Sequence, residues 1–188
     1  MGNNFLAEGN QKSWDNILNQ TAPSDAIVLQ FLSGQLDLDY LSANYKPDEQ
    51  KNCISTLIES LLGTSIPALR KLLSSNEITS EISAANIPQF SNFATAAIYL
   101  PELLLNTRNQ LTYREMGYAL FSETKSDGAA DKYGQNHGSL AIQLGLATTI
   151  KICRKSVFCA TPLTAEYCKL DHSSKMELLQ RLCFRIPI

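Results

Sequence analysis

The chain is 188 residues long, 44% hydrophobic and 18% charged, with a formal net charge of −2. These proportions are those of an ordinary globular protein and exclude a disordered or fibrous chain. The longest apolar runs, such as residues 93–105, carry Pro101 and Glu102 and fall short of the roughly 20 residues a spanning helix needs, so no membrane passage is expected.

The first residues have neither the basic start nor the apolar stretch of a secretory signal, which makes a cytoplasmic location the expectation. Five cysteines, Cys53, Cys153, Cys159, Cys168 and Cys183, form no Cys-x-x-Cys pair and are expected to be small buried apolar side chains. Cys153 facing Cys159 across a hairpin, or Cys168 with His172 on a metal, are the alternatives. No recognised ligand spacing is present, so no metal is expected. The net charge hides a polarity. Residues 1–106 hold five Lys or Arg against eleven Asp or Glu, whereas residues 107–188 hold eleven against seven. Such asymmetry hints at a nucleic-acid-facing part attached to something else.

In chain order, the first half reads as short helices. Residues 26–33 form one that Gly34 ends. Lys46-Pro47-Asp48-Glu49 opens a second, whose apolar positions Cys53, Ile54, Leu57, Ile58, Leu61 and Leu62 recur at three- and four-residue steps until Gly63 closes it. Ser65-Ile66-Pro67 begins a third, carrying Leu69, Leu72 and Leu73. Residues 79–86 and 91–105 have helical patterns as well, punctuated by Pro88 and Pro101. No alternating β pattern precedes residue 146. The charge balance changes sign in the polar stretch 106–110, so the expected domains are a helical part, 1–106, and a second part, 107–188.

In that second part, Thr112 precedes a helical pattern and Glu115 follows three residues later, the spacing of a capping box. Met116, Ala119 and Leu120 supply an apolar stripe. Asp127-Gly128 is a turn signal, after which a second helix is expected. At 100° per residue, Ala130, Tyr133, Gly134, His137, Leu140, Ala141 and Leu144 share one sector, and Lys132, Gln135, Asn136, Ser139 and Gln143 share the opposite one. Amides can bond adenine edges, Lys can reach guanine or phosphate, and Ser can serve either. The rival reading is an ordinary solvated face. Leu144-Gly145-Leu146 ends the helix, and residues 147–153 are rich in β-branched side chains. Arg154-Lys155-Ser156 makes a basic tip before residues 157–160 return as a second strand, and Thr164 caps a short helix running to Leu170.

Residues 111–170 resemble winged-helix DNA-binding modules of bacterial regulators and those fused to restriction endonucleases. The resemblance rests on Leu111, Thr112 and Glu115 in the first helix, Tyr133 in the second, Ala141, Leu144, Gly145 and Leu146 at its end, and Leu163 and Thr164 after the hairpin. It covers about a third of the chain. One departure is that Gly134 and Gly138 each cost about 1 kcal/mol of helix propensity relative to Ala, so that the second helix is kinked or starts late.

An Asp…Glu-x-Lys nuclease pattern can be drawn from Asp37 or Asp39 with Glu49-Gln50-Lys51, a chemistry that needs carboxylates beside a divalent metal. Glu49 follows a Pro-Asp helix start, however, and its simpler role is at the helix N-terminus. His137 faces inward as a core histidine, His172 lies near the start of the last helix, and Leu178, Leu179, Leu182 and Cys183 are expected to pack back onto the module. The expectation is thus a mainly α protein with a helical N-terminal part and a C-terminal winged helix carrying a small hairpin. It binds double-stranded DNA through Lys132, Gln135, Asn136, Ser139 and Gln143 in the groove and through Lys151, Arg154 and Lys155 on phosphates. It would serve as a regulator or as the recognition part of a restriction or defence nuclease, whose catalytic or oligomerising part lies beyond Ile188 or in an associated chain; a homodimer fits as well. No catalytic residue, cofactor or metal is expected in these residues. The alternative is a protein-interaction module with no nucleic-acid role.

Overall fold

The computed structural model of the chain describes residues 24–74, 92–107, 110–124 and 126–185. In order these form α1 (Ser24–Leu32), α2 (Leu38–Asn44), α3 (Pro47–Gly63), α4 (Ile66–Ser74), a π-helical turn (Thr95–Tyr99), α5 (Leu100–Asn106), β1 (Leu111–Thr112), α6 (Tyr113–Leu120), α7 (Asp127–Gln143), β2 (Thr148–Ile152), β3 (Lys155–Cys159), α8 (Pro162–Lys169), α9 (His172–Leu182) and a 3-10 turn (Cys183–Arg185). The fold is mainly helical with one small three-stranded antiparallel sheet, of order β1-β3-β2. The helix expected over 79–86 lies outside the described residues.

These elements divide into two compact units. One takes the described residues up to Ser74 together with Asp171–Arg185; the other runs from residue 92 to Leu170. The boundary expected at 106/107 therefore falls inside the second unit, and the last helix belongs to the first.

In the first unit, α3 keeps its sequence-predicted stripe: Cys53, Ile54, Leu57, Ile58 and Leu61 are buried and Leu62 is half-buried. Each such apolar side chain contributes about 1.5–3 kcal/mol on leaving water. Burial also pushes the Cys53 thiol up to about 12. Helices α1 and α9 pack against α3. Arg181 of α9, almost wholly buried, donates to the carbonyls of Leu62 and Thr64, each at 3.2 Å. A cation thereby satisfies acceptors that the end of α3 leaves without intrahelical partners. Leu178, Leu179 and Leu182 are buried in this unit and not on the DNA-binding module expected from sequence. An apolar stripe shows that a helix has a buried face; it does not name the partner.

The second unit is organised by Pro101. A proline lacks the N–H that would bond the carbonyl four residues back, and its ring crowds that carbonyl. Here the chain widens into a π-turn, with Leu100 N–H bonding Thr95 O, and the carbonyl of Ala97 accepts instead from the Tyr167 hydroxyl of α8 at 2.8 Å. Leu100, Leu104, Met116, Ala141, Ala147 and Phe158 form the core beneath this turn, one or more residues coming from α5, α6, α7 and β3. Residues before 107 are thus integral to this unit's core.

Candidate nucleic-acid interface

The polar face and the hairpin are carried by α6, α7, β2 and β3, and local chemistry sets where each begins and ends. Leu111 and Thr112 form a short strand paired with Phe158 and Val157, an element the sequence pattern did not indicate. Thr112 is then the N-cap of α6. Its hydroxyl accepts from Glu115 N–H at 3.3 Å, and Glu115 Oε2 accepts from Thr112 N–H at 2.8 Å, which completes the expected capping box. That backbone bond, followed by one from the Thr112 hydroxyl, holds the Glu115 carboxyl below its usual range. Asp127-Gly128 is not a turn. Ser126 caps the helix by accepting from Ala129 N–H, and Asp127 opens α7, where a negative charge favours the positive end of the helix.

Helix α7 runs unbroken through both glycines, and the reason is close approach. A Cβ on Gly134 would lie 1.9 Å from the Tyr113 carbonyl oxygen, and one on Gly138 would lie 1.9 Å from the Phe158 ring. The propensity lost at both positions lets α6 and the sheet come within reach of α7. Leu144-Gly145-Leu146 closes the helix as the sequence indicated, with Gly145 at φ +78° and Leu146 N–H bonding Ala141 O.

The two faces separate largely as the 100° projection predicts. Ala130, Gly134, His137, Leu140, Ala141 and Leu144 are buried; Tyr133, expected inside, lies at the margin and is 38% exposed. His137 has Nδ1 2.9 Å from the Tyr133 carbonyl oxygen, and its ring lies 4.8 Å from that of Phe121 at a 54° tilt, so it is packed as a core side chain. On the outer face Lys132 and Gln135 are exposed, and Asn136, Ser139 and Gln143 are half-buried. The Ser139 hydroxyl donates to Gln135 O at 2.8 Å. This leaves its lone pairs, more than its proton, to meet a ligand.

The hairpin is tighter than the sequence reading made it. Ile152 pairs with Lys155, so the loop is the two residues Cys153 and Arg154, and Lys155 already belongs to β3. Both loop residues have positive φ, +49° and +67°, the pattern of a type I′ turn, which usually takes Asn-Gly. Cys159 pairs with Thr148, so Cys153 does not face it; among the described cysteines Cys153 is exposed and Cys53 is buried. Paired residues share a face of the sheet. Lys151 therefore lies with Ser156 on the face of Phe158, which packs on α7, while Lys155 lies with Ile152 on the other. The three cations surround the hairpin, and all are exposed. Helix α8 starts three residues earlier than expected: Thr161 is its N-cap, its N–H donating to Thr164 Oγ1 at 2.8 Å.

One group was missed. Arg114 of α6 donates to Asp127 at 2.6 Å and to Asp131 at 2.9 Å, and the Tyr118 hydroxyl donates to Asp127 at 2.7 Å. Asp131 flanks the N-terminal end of the outer face of α7, and Asp127 lies one turn before it on the side toward α6. Asp127 and Asp131 are four apart on one helix, which signals a shared side, but nothing local shows that Arg114 reaches them.

In the first unit two of the carboxylates that the nuclease pattern drew on, Asp37 and Glu49, have capping roles. Asp37 accepts from the amides of Asp39 and Tyr40, and Glu49 accepts from Lys46 N–H. Among the described residues no three of His, Cys, Asp and Glu come together closely enough to hold a metal ion. No described helix is long and apolar enough to cross a membrane. Comparison with known proteins found no matching family model, no similar curated protein and no similar solved structure.

Proposed function

We propose that the second unit is a winged helix-turn-helix that binds double-stranded DNA, with α7 in the major groove and the β2-β3 hairpin as its wing. The observation that carries this reading is the polar outer face of α7 standing beside a hairpin whose tip and strands carry Lys151, Arg154 and Lys155. The order of elements supports it: α6, α7 and the β2-β3 hairpin follow one another as helix, helix and wing, and β1 pairs with β3. Lys132, Gln135, Asn136, Ser139 and Gln143 would read base edges, and the hairpin cations would hold phosphates and set the register. Such a protein would act as a transcriptional regulator or as the recognition part of a restriction or defence nuclease.

Gel-shift titration of the full chain on random-sequence duplexes at stepped salt tests the reading. Phosphate contacts make affinity fall with a log-log slope of about 0.9 per contact, so the three hairpin cations together with Lys132 predict a slope of roughly 3–4. Arg154→Ala with Lys155→Ala should weaken binding to every sequence, whereas Asn136→Ala should mainly relax sequence preference. No binding in low salt sinks the reading and favours a protein-interaction module.

A further inference from the structure

Arg114 holds its two terminal nitrogens on two different carboxylates, Nη1 on Asp127 and Nη2 on Asp131. A guanidinium usually takes a single carboxylate through both of its oxygens, or the two free oxygens of one phosphate. Here two oxygens from separate side chains take the two terminal nitrogens that one phosphate would take. All three side chains are 44–61% exposed, so solvent reaches the cluster and the pairing is weak. Its place is also specific. Asp131 adjoins Lys132 and lies one turn before Gln135, at the end of the outer face. Over residues 107–170 eight Lys or Arg stand against five Asp or Glu, and two of those five carboxylates are the ones on Arg114.

We propose that Arg114 is a further DNA-backbone contact, and that Asp127 and Asp131 occupy the place of the phosphate until DNA displaces them. This rests on the reading of the second unit as a DNA-binding module. Binding then exchanges two carboxylate oxygens for two phosphate oxygens on the same nitrogens, with no change in the charge of any group. The aspartates restrain affinity for any duplex. They also keep the N-terminal turn of α7, which would otherwise attract anions without discrimination, closed to stray phosphate.

The test is a cycle of four full-length proteins: wild type, Asp127→Asn with Asp131→Asn, Arg114→Ala, and the triple variant. Each is titrated by fluorescence anisotropy against a labelled random-sequence duplex. At about 50 mM salt one phosphate contact is worth about tenfold in affinity and about 0.9 in salt slope, and the asparagines let Arg114 make it without first displacing two carboxylates. The double Asn variant should therefore bind about tenfold more tightly than wild type beyond any gain the same changes bring in the Arg114→Ala background. Its salt slope should match that of wild type, since both make the contact, whereas Arg114→Ala should lower the slope by about 0.9 in either background. Equal gains in both backgrounds would mean that the aspartates act by charge alone and would overturn the inference while leaving DNA binding intact. Binding by none of the four overturns both. Circular-dichroism melts check folding, and Arg114→Lys is the second probe. It keeps the charge but not the fork, and should recover less than half of the logarithmic loss caused by Arg114→Ala; full recovery would also overturn the inference.

Discussion

Replacing Cys153 by Asn and Arg154 by Gly tests the hairpin most directly, because it sets backbone strain against binding. Both residues sit at positive φ, +49° and +67°, where a side chain with a Cβ costs about 1–2 kcal/mol per residue. Glycine relieves its position fully and Asn tolerates its own, less the roughly 0.5–1 kcal/mol that glycine loses in chain entropy. The net gain should be about 1–2 kcal/mol, or about 3–6 °C in melting temperature for a chain of this size. Differential scanning calorimetry and urea titration measure it. The same variant removes one cation, so its DNA salt slope should fall by about 0.9 and its affinity at about 50 mM salt by about tenfold. Cys153→Asn alone should stabilise without weakening binding. An unchanged or lower melting temperature in the double variant would refute the strain argument. Unchanged DNA affinity with the expected stabilisation would remove Arg154 from the interface.

Three further outcomes follow from the second unit. Gly134→Ala should cost at least about 2 kcal/mol by chemical denaturation, since its Cβ would meet the Tyr113 backbone oxygen at 1.9 Å, whereas Gly128→Ala, with nothing within 4 Å, should stabilise by about 0.5 kcal/mol. Tyr167→Phe leaves the Ala97 carbonyl without its hydroxyl donor and should cost about 1–3 kcal/mol in the same assay. The Glu115 carboxyl is held below its ordinary value of 4.5, first by the Thr112 amide. A depressed carboxyl stabilises the fold above its unfolded value and loses that contribution as pH falls through the lower folded one. Melting temperature should therefore drop as pH falls below about 4.5, and Glu115→Gln, which retains an acceptor but does not titrate, should flatten part of that drop.

Local chemistry was legible in the sequence where it depends on neighbours along the chain. The capping box of Thr112 and Glu115, the Gly145 stop and the two faces of α7 each require only a few residues in order, and the structure contains all three. The stripe of α3 was equally plain. The hairpin was legible as an element but not in its register: Lys155 was read into the tip, because β-propensity does not count the residues in a turn. The two-residue strand at Leu111 and Thr112 was hidden for a related reason, since it exists only by pairing with β3. Of the candidate site, the residues on α7 and the hairpin were visible as types at a spacing. The Arg114 pairing was not, because it joins two helices through side chains 13 and 17 residues apart.

The amino-acid order by itself determined most of the helical segments, though not α2 at Leu38–Asn44, and which side of the longer ones is apolar, since capping, turn geometry and periodicity act over a handful of residues. Tertiary structure alone decided what those apolar sides meet. It placed α9 with α3 through Arg181, packed α5 against α7 and α8 by way of Pro101 and Tyr167, and turned the helix-weakening Gly134 and Gly138 into contact points. The physical reason is that burial is non-directional: any apolar stripe can cover another, and only the volumes and hydrogen-bond acceptors that come together in space select the pairing.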